Sequence, residues 1–485
     1  MDKSLITRVV RNTLVVFSGQ ILGRLLDLWA SLLIANAYGE AGYGRFSFAI
    51  AFVGYFAIVA DLGFNMVFVK ALVRQKGQNE NLFGSMLLMK MIMLVLSIGM
   101  ALSLISQSEY PPDTIQLVWI MTIALIISPK FPSIRLVYEQ FFQAKLQMEI
   151  PALLKCLDGV LLVGLIYGMI IFGQPMQSVM VAYVCSSIPG LILIMVVVGR
   201  MIRPVSRIDI PQMVVLLKQG VPVTILGIFA TLIARIDVLF LSFWRSEIEI
   251  GYYSAAYRLT EALRVFPAAM MLSLYPLVVD VTSKKKSLAQ LITTGLKPLL
   301  IIMVPICMST TVWAGDLVLF FYKPAFLPAG DALELLIWTE LCVIFTMVFS
   351  QVLIALDQRR AVVLVSGSML IVNLILNIIL IPRWGYIGAT IATVVTELVG
   401  LVGYGLYIRR YTGWHLADNI QPLLPAIGCL GVWLWFAGSF PIGVGMAGAV
   451  IVYAAGLWFT RGMTREELTF LTRMLTKHHD TENKV

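Results

Sequence analysis

Apolar positions in this chain fall in blocks of twenty or more residues, separated by short breaks rich in Lys, Arg, Pro and Gly. Each block is long enough to cross the roughly 30 Å hydrocarbon layer as an α-helix. Read from break to break, the pattern predicts six helices over 10–37, 42–69, 82–106, 114–142, 147–172 and 176–199. A second series follows over 211–244, 250–280, 288–313, 331–356, 361–381 and 385–408, with a last pair over 418–437 and 441–460. The fold class is therefore an all-α polytopic membrane protein of about 14 transmembrane helices.

Composition points the same way, since 59% of the 485 residues are hydrophobic and only 13% are charged. Soluble domains carry about a quarter charged residues. The distribution of charge then tests the helix count, because cytoplasmic loops are enriched in Lys and Arg. Counting loops alternately places 23 bases on one side, among them Lys3, Arg8, Lys70, Arg74, Lys145, Arg203, Lys284, Arg359, Arg410 and Arg461. The other side holds four, Arg45, Arg245, Lys323 and Arg383. Both termini are expected in the cytoplasm. The net charge of +9 is accordingly a topology signal, with no nucleic-acid partner implied.

The first block reads as a retained helix, because it is long, carries Arg24 and Asp27, and lacks a small-residue cleavage site. The loops on the outer side are short, the longest running from about Ala314 to Gly330, and offer no extracytoplasmic domain for a catalytic site. The tail from Arg461 to Val485 is basic, and Leu468, Leu471 and Leu475 give it an apolar face suited to an amphipathic helix on the cytoplasmic surface. Cys156, Cys185, Cys307, Cys342 and Cys429 all lie in apolar blocks, without a CxxC pair or a Cys/His cluster, and read as small buried hydrophobes. His415 falls in a polar loop and His478 and His479 in the tail. No metal site, cofactor motif or soluble-type catalytic constellation is expected, and the chain does not read as an enzyme.

Two hairpins repeat. Arg24 and Asp27 precede an acidic turn and the pair Gly42-Tyr43, while Arg235 and Asp237 precede an acidic turn and Gly251-Tyr252. Six spans separate the copies, an even number, so both have one orientation. Two pseudo-symmetric six-helix lobes, 1–205 and 206–410, are expected, related by an axis along the membrane normal. The extra helix pair over 411–460 and the tail over 461–485 complete the domain organisation.

Nine bases fall in or near the spans: Arg24, Lys90, Lys130, Arg135, Lys155, Arg235, Arg258, Arg264 and Lys297. A base at a helix centre costs about 2.5–3.5 kcal/mol on insertion scales, so these side chains should line water or pair with acids. Spacing at i,i+3 allows Arg24 to pair with Asp27, Lys155 with Asp158, and Arg258 with Glu261 and then Arg264. Arg235 and Asp237 point to different sides of one helix, so one of them needs a partner elsewhere, for which Asp61, Glu139 and Glu397 are candidates. Lys130 and Arg135 read as snorkelling to the interface. Lys90 and Lys297 suit either role, and Asp61 suits either binding or capping of a helix break.

The functional reading is a net-basic aqueous cavity holding an anionic headgroup on Arg24, Arg235, Arg258, Arg264, Lys90 and Lys297. Asp27, Asp61, Asp158, Asp237 and Glu261 are the candidates for ion pairing or for coupling to H⁺ or Na⁺. The competing reading is that each local pair neutralises itself and only fixes helix packing.

Three runs carry a family resemblance. GYYSAAYRLTEALRVFPAAMMLSLYPL, Gly251 to Leu277, and LNIILIPRWGYIGATIATVVTELVGLV, Leu376 to Val402, resemble the C-terminal half of polysaccharide transporters, and Gly23 to Phe64 resembles their first hairpin. These transporters belong to the MOP superfamily, with MATE-type multidrug extruders and lipid II flippases. The resemblance implies a cavity between two lobes that opens alternately, and export of an undecaprenyl-pyrophosphate-linked oligosaccharide (O-antigen, capsule or exopolysaccharide unit) across a bacterial inner membrane. Its implied partners are that lipid-linked oligosaccharide, membrane lipids, and glycan polymerase and chain-length machinery. Family cavities carry bases on the first, second, seventh and eighth helices. Here the second offers Asp61 and no mid-span base. A lipid II flippase has a similar headgroup, a cation-coupled drug extruder calls for a more acidic cavity, and a membrane glycosyltransferase or ligase calls for a larger outer loop.

Overall fold

A computed structural model describes residues 3–61, 63, 67–69, 71–72, 79–145, 147–201, 210–267 and 285–460. The expected tail helix over 461–485, the far part of the expected helix over 250–280, and the loop bases Lys70, Arg74, Lys76, Arg203, Arg207 and Lys284 lie outside them. Among the described residues every regular element is helical. Within lipid a helix satisfies its backbone donors and acceptors internally, and this chain has the apolar length to use that solution repeatedly.

Among the described residues, ten helical stretches are long and apolar enough to cross a membrane. Two of them hold a sharp turn. Helix α1 (Lys3–Asp61) leaves helical geometry at Gly39, with φ 69° and ψ −174°. The later 54-residue helix Arg359–Thr412 does so at Gly385, with φ 57°. Both positions need a positive φ, which glycine adopts without a Cβ clash. Each long element is thus two limbs joined at a glycine, where the sequence predicts a break between adjacent spans.

Between them run α2 (Asn79–Ser106), α3 (Pro112–Thr122), α4 (Ala124–Ile127), α5 (Ile134–Ala144), α6 (Glu149–Ile171), α7 (Met176–Cys185), α8 (Ile188–Met201), α9 (Ile210–Trp244) and α10 (Glu247–Ala262). Helices α11 (Lys285–Val312), α12 (Ala314–Phe321) and α13 (Ala329–Ala355) lead to the long α14 (Arg359–Thr412). A short α15 (Ala417–Ile420) precedes α16 (Leu424–Ala437) and α17 (Ile442–Phe459).

Proline explains where expected helices divide. The single span predicted over 114–142 is interrupted at Pro129 and Pro132, each of which pushes its preceding residue out of helical geometry. Ser128 is extended, with φ −80° and ψ 135°. The span over 176–199 divides at Ser186-Ser187, just before Pro189. Helix α10 ends at Ala262, and tighter bonds follow, from Leu263 to Thr260 and from Arg264 to Glu261, in the turn before Pro267. The outer loop predicted from about Ala314 to Gly330 is a folded element instead: it holds α12 and a 3₁₀ turn, and Phe326 and Tyr322 are buried, the latter donating to the Ala255 carbonyl at 3.2 Å.

The chain forms two compact units. The first comprises Met1–Arg258, Tyr322–Phe326 and Asn373–Ala389, and the second Leu259–Phe321, Leu327–Val372 and Thr390–Val485. Helix α9 packs along α1, the start of α10 meets the α1 turn at Gly44, and the limb around Gly385 meets Arg245 and Glu249, which places all of these segments in the first unit. In the first unit Phe68, Phe83, Phe141 and Phe142 anchor an apolar cluster. In the second, Trp313 packs with Leu430 of α16 and Ala449 and Tyr453 of α17. A Cβ at Gly445 would overlap the Trp313 ring, so the α16–α17 hairpin reaches that core through glycine.

The first unit also brings the two repeated hairpins together at their turns. A Cβ at Gly44 would overlap the Glu247 carbonyl, and one at Gly251 the Glu40 carbonyl, so the backbones touch in an approximately reciprocal way. Arg45 pairs with Glu247 at 3.1 Å and Asp113 at 3.4 Å, and Thr114 donates to Glu247 at 2.9 Å. Arg245 donates to the carbonyls of Ile381 and Pro382, and Glu249 accepts from the Tyr386 amide at 3.0 Å. Those bonds satisfy backbone groups left open where Gly385 and Pro382 interrupt the helix.

Candidate functional site

Among the described residues, charged side chains within the helices gather in five places. The first centres on Asp27, where α1 faces the proline-broken loop before α5. Lys130 reaches its Oδ1 at 2.5 Å, donates to the Tyr183 hydroxyl at 3.2 Å, and lies 4.4 Å from the centre of that ring. Arg258, on α10, donates to the Asp27 backbone carbonyl at 3.2 Å. Asp27 and Lys130 are each about 30% exposed. The expected Arg24–Asp27 pair is replaced by one across elements, because Pro129 and Pro132 turn Lys130 inward instead of leaving it to snorkel. Arg24 is exposed and, among the described residues, has no hydrogen-bond or ion-pair partner.

The second lies on α9. Asp237, 1% exposed, accepts from Tyr253 at 2.6 Å and from Asn377 at 2.6 Å, while Asn373 lies at 3.5 Å. Asn377 also donates to Asn373 at 3.1 Å, and its own Oδ1 is buried without a hydrogen-bond partner. Arg235 packs its stem against Gly54, where a Cβ would stand 3.3 Å from its Cδ. It has no hydrogen-bond or ion-pair partner among the described residues. Of the acids proposed to complete this pair, Asp61 lies by Lys90 and Glu139 pairs with Arg135.

The third is a buried network. Arg135, fully buried, pairs with Asp158 on α6 and with Glu139 at 3.2 Å, and Glu139 takes Lys155 at 2.8 Å. The expected Lys155–Asp158 pair is thus exchanged for Lys155–Glu139 and Arg135–Asp158. Arg135 does not snorkel, because two carboxylates hold it inside. Gly190 of α8 completes the site, since a Cβ there would overlap both Asp158 and Arg135.

The fourth joins Lys90 of α2 to the end of α1. Lys90 is 2% exposed, donates to the Ala60 carbonyl at 2.7 Å and lies 3.8 Å from Asp61. A cation on a terminal carbonyl stabilises a helix C-terminus. Asp61 is the last residue of α1, ahead of Gly63 with φ 70°. Both residues thus meet at the helix break, which is one of the two places the sequence allows for Asp61.

The fifth is in the second unit. Arg264 grips Glu340 of α13, its Nε 3.0 and 3.1 Å from the two carboxylate oxygens and its Nη2 3.0 Å from Oε1. Glu261, one turn earlier, and Glu397 of α14 lie within electrostatic range of that pair. Lys297 is buried in α11, directly before Pro298.

Glu340, Tyr183, Tyr253, Asn373 and Asn377 join these clusters without having been expected from the sequence. A signal was present for some of them: Glu340 is an acid inside the apolar 331–356 block, and Asn373 and Asn377 recur at i,i+4 in another.

A family model described as "Polysaccharide biosynthesis protein" matches residues 9–282. The chain belongs to that family. A second model, MatE, matches residues 222–379, a region that includes Asp237, Arg258, Arg264 and Glu340. Two curated relatives come from Haloferax volcanii. The "Probable flippase AglR" is 26% identical over 212 residues, 43% of this chain and 42% of the relative. The "Probable low-salt glycan biosynthesis flippase Agl15" is 23% identical over 177 residues, 36% and 38% of the two chains. The matches therefore span less than half the length of either relative. Among solved structures, "Lipid II flippase MurJ, inward closed conformation" superposes with a TM-score of 0.74 at 16% identity, covering 92% of this chain and 98% of that one. A mutant of the Vibrio cholerae MATE transporter VcmN gives 0.55 at 14% identity, covering 84% and 98%. The family chain thus has the MOP-superfamily fold, as the resemblance in its hairpins implies.

Proposed function

We propose that the chain is a flippase that moves an undecaprenyl-pyrophosphate-linked oligosaccharide from the cytoplasmic to the outer leaflet of a bacterial inner membrane, with both termini cytoplasmic. The two lobes expected over 1–205 and 206–410 carry it by alternating access, and the work is transport rather than catalysis. The observation that carries the reading is the cluster of Lys130 and Arg258 at Asp27, with Arg24 one turn away. Guanidinium and ammonium donors suit the oxygens of a pyrophosphate, and the bidentate fork of arginine suits them best. Two curated relatives described as probable flippases support the transport class. Glycan polymerase and chain-length machinery would act on the delivered unit. Deleting the gene in its host should abolish surface glycan and leave lipid-linked units on the inner leaflet; full glycan display in the deletion strain would remove the reading.

Coupling belongs to the same proposal. The Asp237 cluster is rich in oxygens, and its Asn377 Oδ1 is buried without a partner. Turning that amide would aim a second oxygen donor at the carboxylate, a set suited to a hard monovalent cation such as Na⁺ or to a proton. The expected outcome for Asp237→Asn is transport in proteoliposomes that responds less than wild type to an imposed H⁺ or Na⁺ gradient. A gradient response equal to wild type would exclude Asp237 as the coupling residue.

A further inference from the structure

The Arg264 cluster contains more acid than the basic-cavity reading uses. Glu340 is 1% exposed, while the Arg264 side chain that grips it is 25% exposed. The guanidinium therefore presents an edge to the surroundings while its counter-ion stays inside. The Glu397 carboxylate lies in the electrostatic range of both, and its Oε2 is buried with no hydrogen-bond partner. Around Glu340 stand Arg264, Glu261, the Thr260 hydroxyl and Cys307. Around Glu397 stand Arg264, Cys342 and Tyr404. Arg264 is the cation in this set, and Glu340 already occupies the hydrogen-bonding face of its fork.

A carboxylate without a counter-charge is far more costly to hold in apolar surroundings than the neutral acid. Two carboxylates sharing one site also disfavour joint ionisation. We propose that Glu340 and Glu397 form a proton-binding site whose occupancy decides whether Arg264 can hold an anionic headgroup. At rest Glu397 holds one proton from bulk water, and Glu340 remains a carboxylate on Arg264. A second proton, again from water, neutralises Glu340 and breaks the ion pair. The guanidinium then offers its N–H donors to phosphate oxygens, so anion binding and proton uptake favour each other reciprocally. This second half rests on the flippase reading. The proton site stands apart from it.

The test uses the full-length protein in lipid nanodiscs and two isosteric variants, Glu397→Gln and Glu340→Gln. Infrared difference spectra across a pH titration should show a carboxylic-acid carbonyl band that Glu397→Gln removes. A band that survives in both variants, or no such band in wild type, overturns the proton site whatever the ligand. Inorganic pyrophosphate is then titrated calorimetrically in two buffers of different ionisation enthalpy, which counts protons exchanged on binding. Wild type should take up protons as it binds, and Glu340→Gln should bind at least as tightly while taking up none. Equal uptake by Glu340→Gln overturns the link to Arg264. Absence of pyrophosphate binding by wild type counts against the flippase reading instead, and the infrared result still decides the proton site.

Discussion

An Arg258→Ala variant is expected to reach the membrane folded and to export almost no glycan. Its guanidinium donates to the Asp27 carbonyl from a half-buried position. Truncation there leaves a space that water can fill, so a normal size-exclusion profile in detergent is expected. A hydrogen bond to a charged group is worth about 1.5–3 kcal/mol, and removing one from a bound pyrophosphate lowers transport by about 10- to 100-fold. Arg258→Lys keeps the charge and loses the fork, and should fall between the two. Arg24→Ala and Arg264→Ala should also stop export without unfolding the chain. Arg264→Ala has an added effect, because it strips Glu340 of its cation. Glycan surface display and protein yield are measured together; normal display in all three alanine variants would end the basic-cavity reading.

Arg135→Ala is expected to fail at the level of folding. Breaking a buried ion pair by removing one partner costs about 3–5 kcal/mol, because the other charge stays buried without compensation. Here the loss orphans Asp158 and leaves Glu139 with Lys155 alone. The double variant Arg135→Met with Asp158→Leu removes both charges and should recover much of the stability, since an apolar pair of similar volume often substitutes for a buried ion pair. Thermal unfolding in detergent reads the difference. A single variant as stable as wild type would mean that the network contributes nothing to folding.

The two effects separate cleanly because one arginine has water within reach and the other has none. That difference was partly legible in the residues themselves. Block length and the Lys/Arg bias of the loops identified a polytopic helical chain, and the breaks between blocks located both long hairpins, because a fixed bilayer thickness sets the apolar length a helix needs and a helix satisfies its own backbone. Pairing was less legible. The i,i+3 rule matched Lys155 to Asp158 and Arg24 to Asp27, yet both acids take partners from other elements. Such choices depend on where neighbouring helices lie, which spacing along one helix does not encode. Pro129 and Pro132 were visible as helix breakers, but only their tertiary setting shows that the break carries Lys130 inward. Glu340 was visible as an acid in an apolar block, and its consequence needed Arg264 in place beside it.

The reciprocal backbone contact between the hairpin turns bears on how such a chain can change over generations. Gly44 lies against Glu247 and Gly251 against Glu40, with no side chain between to absorb a displacement. One residue inserted into either turn would shift both meeting points together, and no compensating substitution at a single position could restore them. The distances along the chain from Gly39 to Gly44 and from Glu247 to Gly251 should therefore stay constant among descendants of this sequence. Breaks between helices that meet no other backbone in this way face no such requirement, and their lengths are open to drift.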